Sequence, residues 1–244
     1  MNYLHHSKYG FFFRTLYSQI KTFNLNRNLK GPNLVFIWIP KTGGTTIYNI
    51  LLGGLGMQKR VKINSLLSFP NRGPVTFGHV SYLSLLEIGI INNNYNSSAY
   101  KFCFVRNPYN RIISLFNYLK QKKEIDQKIE FEKFLDLVHL KTPPIGIHNT
   151  SGISQANTQC SWIFGKDNEL IVDDIFRIEE INYFFEFISK KYLIKLEAGI
   201  PMRVSKKEIS FETISNNTAI IEKIENIYSR DFEFLGYEKV SKKI

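Results

Sequence analysis

The chain has 244 residues, of which 43% are hydrophobic and 22% are charged. This composition is ordinary for a globular protein of one domain, and it excludes a chain that is disordered throughout. The net charge of +11 favours an anionic partner such as a nucleotide, an acidic glycan, a nucleic acid or a membrane surface, without choosing among them.

The cysteines and the apolar runs exclude further classes of protein. Cys103 and Cys160 have no spacing of the kind that forms a CxxC redox site or a zinc site. Cys103 lies in an apolar run, where we expect a buried thiol. No stretch approaches the ~18 apolar residues that cross a membrane, and no signal-peptide pattern is present. We therefore expect a cytoplasmic protein.

The domain organisation is predicted to be simple. Residues 1–30 are interpreted as an N-terminal extension, helical in part, and residues 31–244 as a single domain. The stretch from Phe11 to Phe23 has the pattern of a weakly amphipathic, basic helix. Packing of this helix on the domain is the favoured interpretation, and weak peripheral contact with a membrane is the alternative.

From residue 34 onward, strand patterns alternate with helix patterns. Leu34 to Ile39 is a continuous apolar run that ends at Pro40, which is typical of a buried parallel strand. A glycine-containing loop follows it, and a helical pattern then extends to Gly53-Gly54. Further strands are predicted at 75–80, 100–105 and 170–178, and further helices from 107 onward, at 127–139, at 182–192 and at 215–228. This alternation predicts a three-layer α/β/α fold with a central parallel sheet.

The loop after the first strand, Pro40-Lys-Thr-Gly-Gly-Thr-Thr46, is a candidate phosphate site. In a loop of this kind the amides point into one concavity, the helix N-terminus adds partial positive charge, and the glycines allow a close approach. Lys41 adds a full charge, and Thr45 and Thr46 add hydroxyl donors. The lysine precedes the glycines, so the loop departs from the Walker pattern GxxxxGK[ST], and no Walker B acid is evident. By spacing alone, a purely structural turn is the alternative.

A second candidate phosphate site follows the strand at 100–105. Arg106 stands at the carboxyl end of this strand, where ligands of open α/β sheets collect. Arginine is suited to bind phosphate with two parallel hydrogen bonds. Asn107 and Pro108 fit the N-cap and the first position of the helix, and Ser114, two turns on, adds a hydroxyl. An exposed arginine and a surface serine are the alternative, and Arg111 is a weaker candidate.

These two segments together resemble the two motifs by which sulfotransferases bind PAPS, 3′-phosphoadenosine 5′-phosphosulfate. Residues 40–46 resemble the loop for the 5′-phosphosulfate, and residues 104–114 resemble the 3′-phosphate motif. Phe77-Gly-His-Val-Ser-Tyr-Leu83 is similar to the segment of uronyl and heparan sulfate 2-O-sulfotransferases that carries the catalytic histidine. Residues 157–165 resemble a further stretch of carbohydrate sulfotransferases. The resemblance extends over residues 33–238.

The resemblance implies a P-loop-like sulfotransferase fold and transfer of a sulfuryl group from PAPS to a carbohydrate hydroxyl, with PAP as the product and no metal required. It implies that Lys41 stabilises the leaving phosphate and that His79 is the general base. The residues implied to bind the nucleotide are Lys41, Thr42, Gly43, Gly44, Thr45, Thr46, Arg106 and Ser114. The expected partner is a glycan or polysaccharide, acidic ones included. Nucleic acid is not expected, because the chain lacks an aromatic-rich RNA motif and a helix-turn-helix pattern.

Several alternatives stay open at this point. The enzyme could sulfate a protein or a small molecule, it could be a P-loop ATP-dependent kinase, or the chain could be a non-catalytic basic binding protein. His139 and His148 are rival candidates for the base. The family has a basic loop over the nucleotide, and three residues lie at the corresponding place: Arg203, Ser205 and Lys206. A solvated basic loop is the alternative interpretation of this segment.

Overall fold

The computed structural model describes residues 31–141, 149–196 and 208–241, and its centre is a parallel sheet of five strands. The strands are β1 (Leu34–Ile37), β2 (Gln58–Lys59), β3 (Pro74–Thr76), β4 (Tyr100–Val105) and β5 (Asp174–Arg177). Their order in the sheet is β2-β3-β1-β4-β5, and every neighbouring pair is parallel. The predicted parallel sheet is thereby confirmed. The predicted N-terminal extension, His148 and the basic segment at 203–206 lie outside the described residues.

Helices cover the sheet. They are α1 (Gly44–Leu55), α2 (Ile63–Leu67), α3 (Tyr82–Glu87), α4 (Asn93–Ser98), α5 (Pro108–Lys122), α6 (Phe131–Lys141), α7 (Ile181–Tyr192), α8 (Phe211–Ile214), α9 (Thr218–Ile227) and α10 (Ser229–Phe234). Short 3₁₀ helices lie at Gly152–Ala156, Cys160–Trp162 and Ile178–Glu180. This arrangement of helices around a parallel sheet confirms the predicted α/β class.

Both faces of β1 are buried, as its unbroken apolar sequence predicts. Leu34 and Phe36 point to the face covered by α1 and α7, whereas Val35 and Ile37 point to the opposite face. Side chains alternate between the faces of a strand, so a strand covered on both sides must be apolar at every position. Cys103, on the neighbouring β4, is fully buried as expected.

A third apolar cluster joins α5 to α6, α9 and α10. Its buried residues on α5, among them Ile112, Leu115 and Leu119, recur at the spacing that places them on one face. The packing of this face fixes the direction of α5, the helix that carries Ser114. The opposite side of α5 is therefore available to the carboxyl edge of the sheet.

Several predicted boundaries are wrong by a few residues. The strand predicted at 75–80 ends at Thr76, because Gly78 adopts a left-handed conformation (φ +60°) that extended strands do not accommodate. His79 therefore lies in a turn beyond the strand. Helix α1 continues through Gly53-Gly54 and ends at Gly56, whose amide bonds to the carbonyls of Leu51 and Leu52. The strand predicted at 170–178 is limited to β5, and the helix predicted from 127 begins at Phe131.

Candidate active site

The charged candidates lie along the carboxyl edge of the sheet. Lys59 ends β2, His79 follows β3, Lys41 follows β1, and Arg106 follows β4. Because the strand order is β2-β3-β1-β4, these four groups occur across the sheet in the order Lys59, His79, Lys41, Arg106. Ligands of open parallel sheets bind outside this edge. The tertiary structure thus brings three predicted site residues to one edge of the sheet and adds Lys59, which the sequence analysis missed.

The loop between β1 and α1 has the properties of an anion site. Gly43 is the N-cap of α1, and no side chain caps the helix. Within the described residues, the backbone amides from Thr42 to Thr45 have no hydrogen-bond acceptor. Free amides at a helix N-terminus, together with the helix dipole, bind phosphate and sulfate. The loop therefore offers hydrogen-bond donors of the kind that an anionic group accepts from.

The glycines of this loop are required by contacts with the protein itself. A Cβ atom on Gly44 would lie 1.9 Å from Nε1 of Trp38, and one on Gly43 would lie 2.6 Å from Cδ1 of Ile178. Gly43 also has a φ of +79°, which favours glycine. These contacts, rather than the approach of a phosphate, account directly for the two glycines.

Thr42 has a structural role that the sequence analysis did not predict. Its side chain is fully buried, and its hydroxyl donates to the carbonyl of Ile39 at 2.9 Å. Only its backbone amide is therefore left for a ligand. Thr45 and Thr46, in the first turn of α1, are partly exposed. Thr45 and Thr46 are the two threonines whose hydroxyls were predicted to bind the nucleotide.

Lys41 has an uncommon backbone conformation, with a φ of +67°. Non-glycine residues adopt this left-handed region rarely. Two contacts accompany it: the ammonium lies 4.1 Å from the centroid of the Tyr118 ring on α5, and the carbonyl accepts from Nη1 of Arg106 at 3.4 Å. The backbone conformation thus directs Lys41 towards α5 and the second phosphate motif.

Arg106 is held by its backbone. Its amide donates to Oε1 of Gln159 at 2.8 Å, and its carbonyl accepts from Nε2 of Gln159 at 2.9 Å. The buried carboxylate of Asp231 in turn accepts from the amides of Gln159 and Cys160 at 2.8 and 2.9 Å. Residues 157–165 resemble a stretch of carbohydrate sulfotransferases, but the resemblance did not predict that Gln159 holds the backbone of Arg106.

The helix that follows Arg106 begins as predicted. Asn107 is the N-cap of α5, its side chain accepts from the amide of Tyr109 at 3.0 Å, and Pro108 opens the helix. The amide of Asn107 donates to Oε1 of Glu179 at 2.9 Å. Glu179 also accepts from the hydroxyl of Tyr237 at 3.1 Å. Buried surroundings lower the pKa of Arg106, and the charge of Glu179 opposes that shift.

Ser114 lies on the face of α5 that meets the Lys41 loop. Residues 111, 114 and 118 share one face of the helix by their spacing. On this face, Arg111 bonds to the loop and Tyr118 lies under the Lys41 ammonium. Ser114 between them is half-buried, and its hydroxyl has no protein partner among the described residues. Ser114 therefore lies on the side of α5 that faces the loop, as its predicted role requires.

Arg111 positions the loop. Its side chain is 2% exposed. It donates to the carbonyl of Pro40 at 3.0 Å, of Gln155 at 2.8 Å and of Asn157 at 2.9 Å. A guanidinium used in this way is not available to a phosphate, so Arg111 is a positioning residue.

His79 is held in one orientation by its ring and by its backbone. Its Nδ1 lies 2.9 Å from the carbonyl of Trp38, which can only accept, so Nδ1 carries the proton and Nε2 is left as an acceptor. The backbone around it is fixed as well: its amide donates to Oδ1 of Asn149 at 2.9 Å, and its carbonyl accepts from the amide of Thr150 at 2.8 Å. Rings of Trp38 and Trp162 meet the imidazole edge-on. These contacts hold the imidazole in one orientation at the carboxyl edge of the sheet.

The surroundings keep His79 neutral. Burial lowers its pKa from the usual 6.5 to about 4, with smaller contributions in the same direction from the charges of Lys59, Lys41 and Arg111. The hydrogen bond to Trp38 acts in the opposite direction. An imidazole with this pKa is neutral at neutral pH, and it is a weaker base than an imidazole with the usual pKa of 6.5. The side chain of His139, a rival base, is not described.

Lys59 and two aromatic residues complete the crevice on the other side of His79. The Lys59 ammonium lies 4.4 Å from the ring centroid of Trp38 and 5.9 Å from that of Tyr48. Trp38 and Tyr48 stack with centroids 5.6 Å apart. A lysine at the end of a strand would have marked Lys59 as a candidate. No pattern in the sequence indicated this strand, because β2 is only two residues long.

Two classes of feature are absent from the described parts of the chain. No helix in those parts combines the length and apolar character needed to cross a bilayer. The same residues contain no group of three or more His, Cys, Asp or Glu side chains placed to hold a metal ion.

A sequence model of the sulfotransferase family matches residues 29–238, and the chain therefore belongs to that family. The prediction of a PAPS-dependent sulfotransferase is confirmed at the level of the family.

Individual proteins resemble the chain more distantly. One solved structure that it is similar to is the crystal structure of mouse sulfotransferase SULT7A1 complexed with PAP, at 13% sequence identity and a TM-score of 0.44. That alignment covers 90% of this chain and 89% of the mouse chain. No curated protein matches the sequence.

Proposed function

We propose that the protein transfers a sulfuryl group from PAPS to a hydroxyl of a carbohydrate. The observation that carries this proposal is the pairing of two anion sites on adjacent strands. The uncapped N-terminus of α1 follows β1, and Arg106 follows β4. A donor with phosphate at both its 5′ and 3′ ends needs two such sites, whereas ATP has no 3′-phosphate for Arg106 and Ser114 to bind.

The donor is held by groups that the fold already orients. The amides from Thr42 to Thr45 and the hydroxyls of Thr45 and Thr46 bind the 5′-phosphate end. Arg106 and Ser114 bind the 3′-phosphate. Lys41 lies between these two sets, since Arg106 bonds to its carbonyl and its ammonium lies on Tyr118 of α5. This position supports a role for Lys41 beside the oxygen that joins phosphate to sulfur.

The transfer breaks one sulfur–oxygen bond and forms another. The acceptor oxygen attacks sulfur in line with the leaving oxygen, the bond from sulfur to the 5′-phosphate oxygen breaks, and PAP leaves with that electron pair. Negative charge grows on the leaving phosphate, where the Lys41 ammonium stabilises it. The proton of the acceptor hydroxyl passes to Nε2 of His79. The products are the sulfate ester, PAP and a protonated histidine, which then releases its proton to solvent.

The choice of a carbohydrate rests on the segments around His79 and Gln159. Residues 77–83 and 157–165 resemble carbohydrate sulfotransferases, and in the fold both segments border the crevice: His79 meets Trp162 edge-on, and Gln159 holds Arg106. Sulfation of a protein or a small molecule would use the same donor site with a different acceptor surface.

The direct test is a transfer assay with PAPS carrying labelled sulfur, offered with neutral polysaccharides, acidic polysaccharides, a tyrosine peptide and a small phenol. We expect label in one or more polysaccharides. Label in the peptide or the phenol alone would overturn the carbohydrate acceptor but keep the donor. Transfer of labelled phosphate from ATP, with magnesium and without PAPS, would overturn the donor as well.

A further inference from the structure

The side chain of Trp38 contacts two parts of the site that must both lie close to the transferred group. Trp38 directly follows β1. On one side, a Cβ atom on Gly44 would lie 1.9 Å from Nε1 of the indole, so this nitrogen packs against the backbone of the first turn of α1. On the other side, the ring centroids of Trp38 and His79 are 5.5 Å apart. The amides proposed to bind the 5′-phosphate and the proposed base therefore flank one indole.

The indole N–H of Trp38 is a buried donor without an acceptor. The residue is 6% exposed, and within the described part of the chain its Nε1 makes no hydrogen bond. A buried indole N–H usually has a partner, because an unmade hydrogen bond in the interior is costly. This donor packs beside the free amides at the N-terminus of α1, which themselves attract an anion. Its missing partner is therefore expected to be an oxygen of a ligand.

The ring that carries this donor is held in place before any ligand binds. The rings of Phe36 and Tyr48 stack on Trp38, with centroids 5.8 and 5.6 Å away. The Lys59 ammonium lies 4.4 Å from the centroid of the indole, so the surroundings favour a negative group. A donor that is already oriented stabilises developing charge without the cost of reorganisation.

We propose that the indole N–H of Trp38 donates a hydrogen bond to an oxygen of the sulfuryl group during its transfer. This inference rests on the proposed function and adds a residue that binds the transferred group. In an in-line transfer the sulfur lies between the leaving phosphate oxygen and the acceptor oxygen. The phosphate is assigned to the amides of α1 and the acceptor proton to His79, so the sulfuryl group passes between them, where Trp38 contacts both.

Two other roles of Trp38 would give different results. The N–H could bond to the 5′-phosphate, which PAP and PAPS share, whereas only PAPS carries the sulfuryl group. The ring could instead act only by orienting His79, and its replacement would then change the pH dependence of kcat. Donor binding and the pH profile therefore separate the three roles.

The first test observes the N–H directly in the wild-type protein. The chain has two tryptophans, so protein labelled with ¹⁵N at the indole nitrogens gives two N–H signals, which Trp162→Phe assigns. Trp162 is the internal control, because it is 2% exposed and its Nε1 also has no partner among the described residues. We expect the Trp38 signal to move downfield with PAPS in the absence of acceptor and to move clearly less with PAP. The Trp162 signal should change little with either.

The second test removes the donor atom. Trp38→Phe keeps an aromatic ring, and 3-benzothienylalanine at position 38 keeps the shape of the indole with sulfur in place of the N–H. In both we expect kcat to fall about 10- to 100-fold, the scale of a hydrogen bond to a charged group. The affinity for PAP by calorimetry and the acid limb of kcat should stay unchanged. Phe184→Leu is the matched control, because it truncates another ring of the same apolar cluster and should reduce stability without a comparable loss of kcat.

Equal shifts of the Trp38 signal with PAP and PAPS, or weaker binding of PAP in the benzothienylalanine variant, would assign the N–H to the phosphate and overturn this inference. Full activity of that variant, or a shifted acid limb that accounts for its loss, would overturn it as well. Each of these results leaves the proposed function intact. No stabilisation of the wild type by PAP or PAPS would instead overturn the proposed donor, and this inference with it.

Discussion

Nε of Arg111 on α5 donates a hydrogen bond of 3.0 Å to the carbonyl of Pro40, at the start of the loop that carries Lys41. The bond joins the two segments proposed to bind PAPS, because Pro40 opens the first and Arg111 belongs to the second. Arg111 also bonds to the carbonyls of Gln155 and Asn157. A buried cation with carbonyl acceptors fixes the distance between the segments before any ligand binds. The spacing of the two proposed phosphate sites is therefore a property of the folded chain.

Replacing Arg111 should destabilise the fold and loosen the donor site together. Arg111→Met leaves three buried carbonyls without their donor, and each unsatisfied group costs about 1–3 kcal/mol. We expect a loss of about 3 kcal/mol or more in the free energy of unfolding, measured by urea denaturation, and weaker binding of PAP. Arg230→Met, which removes an exposed arginine, should cost less than about 1 kcal/mol. Similar losses in the two variants would contradict the positioning role.

The donor site should distinguish PAP from ATP. Binding to the native state alone stabilises a protein by ~2.7 kcal/mol when the ligand is at a hundredfold excess over its dissociation constant. We expect PAP to raise the melting temperature clearly more than ATP does, without magnesium, in a thermal-shift assay. Arg106→Ala should remove most of that difference. Equal shifts from the two nucleotides in the wild type would rule out a dedicated 3′-phosphate site.

Lys41 and Arg106 should affect different kinetic constants. Arg106 contacts a group that is charged before and during the reaction, so Arg106→Ala should mainly raise KM for PAPS. The charge that Lys41 stabilises is greatest in the transition state, so Lys41→Met should mainly lower kcat. Steady-state kinetics with PAPS as the varied substrate separates the two effects. A change in KM alone for Lys41→Met would show that the lysine only binds the donor.

His79 should be needed for turnover and not for donor binding. His79→Asn keeps an N–H near the position of Nδ1, to bond to Trp38, but removes the Nε2 acceptor. Loss of a general base lowers the rate by about 10²–10⁴-fold, and we expect a loss of that size in kcat with nearly unchanged affinity for PAP by calorimetry. Turnover within threefold of the wild type would reject His79 and direct attention to His148.

The pH profile should show how far the pKa of His79 is lowered. With a pKa of about 4 in the folded protein, the active neutral form persists well below the usual 6.5, so its protonation should lower kcat only near pH 4. Lys59→Met removes one charge that lowers this pKa and should move the acid limb to higher pH. A wild-type limb near 6.5 would contradict the environment described for His79.

Protonation of His79 should also make the free energy of unfolding depend on pH. Its pKa is lower in the folded than in the unfolded protein, so the unfolded state binds more protons between pH 6.5 and 4, and stability falls as the pH falls through that window. The contribution lost at pH 5 is about 2 kcal/mol relative to pH 7. His79→Gln should show a smaller loss over the same range by urea denaturation. An equal loss in both proteins would assign the acid sensitivity to other groups.

The local sequence was sufficient to predict those elements whose structure depends on one continuous segment. The apolar run at 34–39 predicts β1, the strand at 100–105 is β4 residue for residue, and the Asn107-Pro108 cap marks the start of α5, because neighbours in sequence decide strand patterns and helix caps. The two motifs after those strands also carry enough identity to indicate the family. Boundaries that depend on a glycine conformation, such as the end of β3 before Gly78, were not predicted.

Only the tertiary structure decided which groups share the crevice. The order β2-β3-β1-β4 places Lys59 beside His79, although nothing in the two-residue β2 marks it as a strand. Arg111 is buried and bonds to backbone carbonyls. The contact with Trp38 explains why residue 44 is glycine, which the motif alone explains by the approach of a phosphate. These outcomes depend on the packing of segments that are distant in sequence, and such packing is set by the core as a whole rather than by any local pattern.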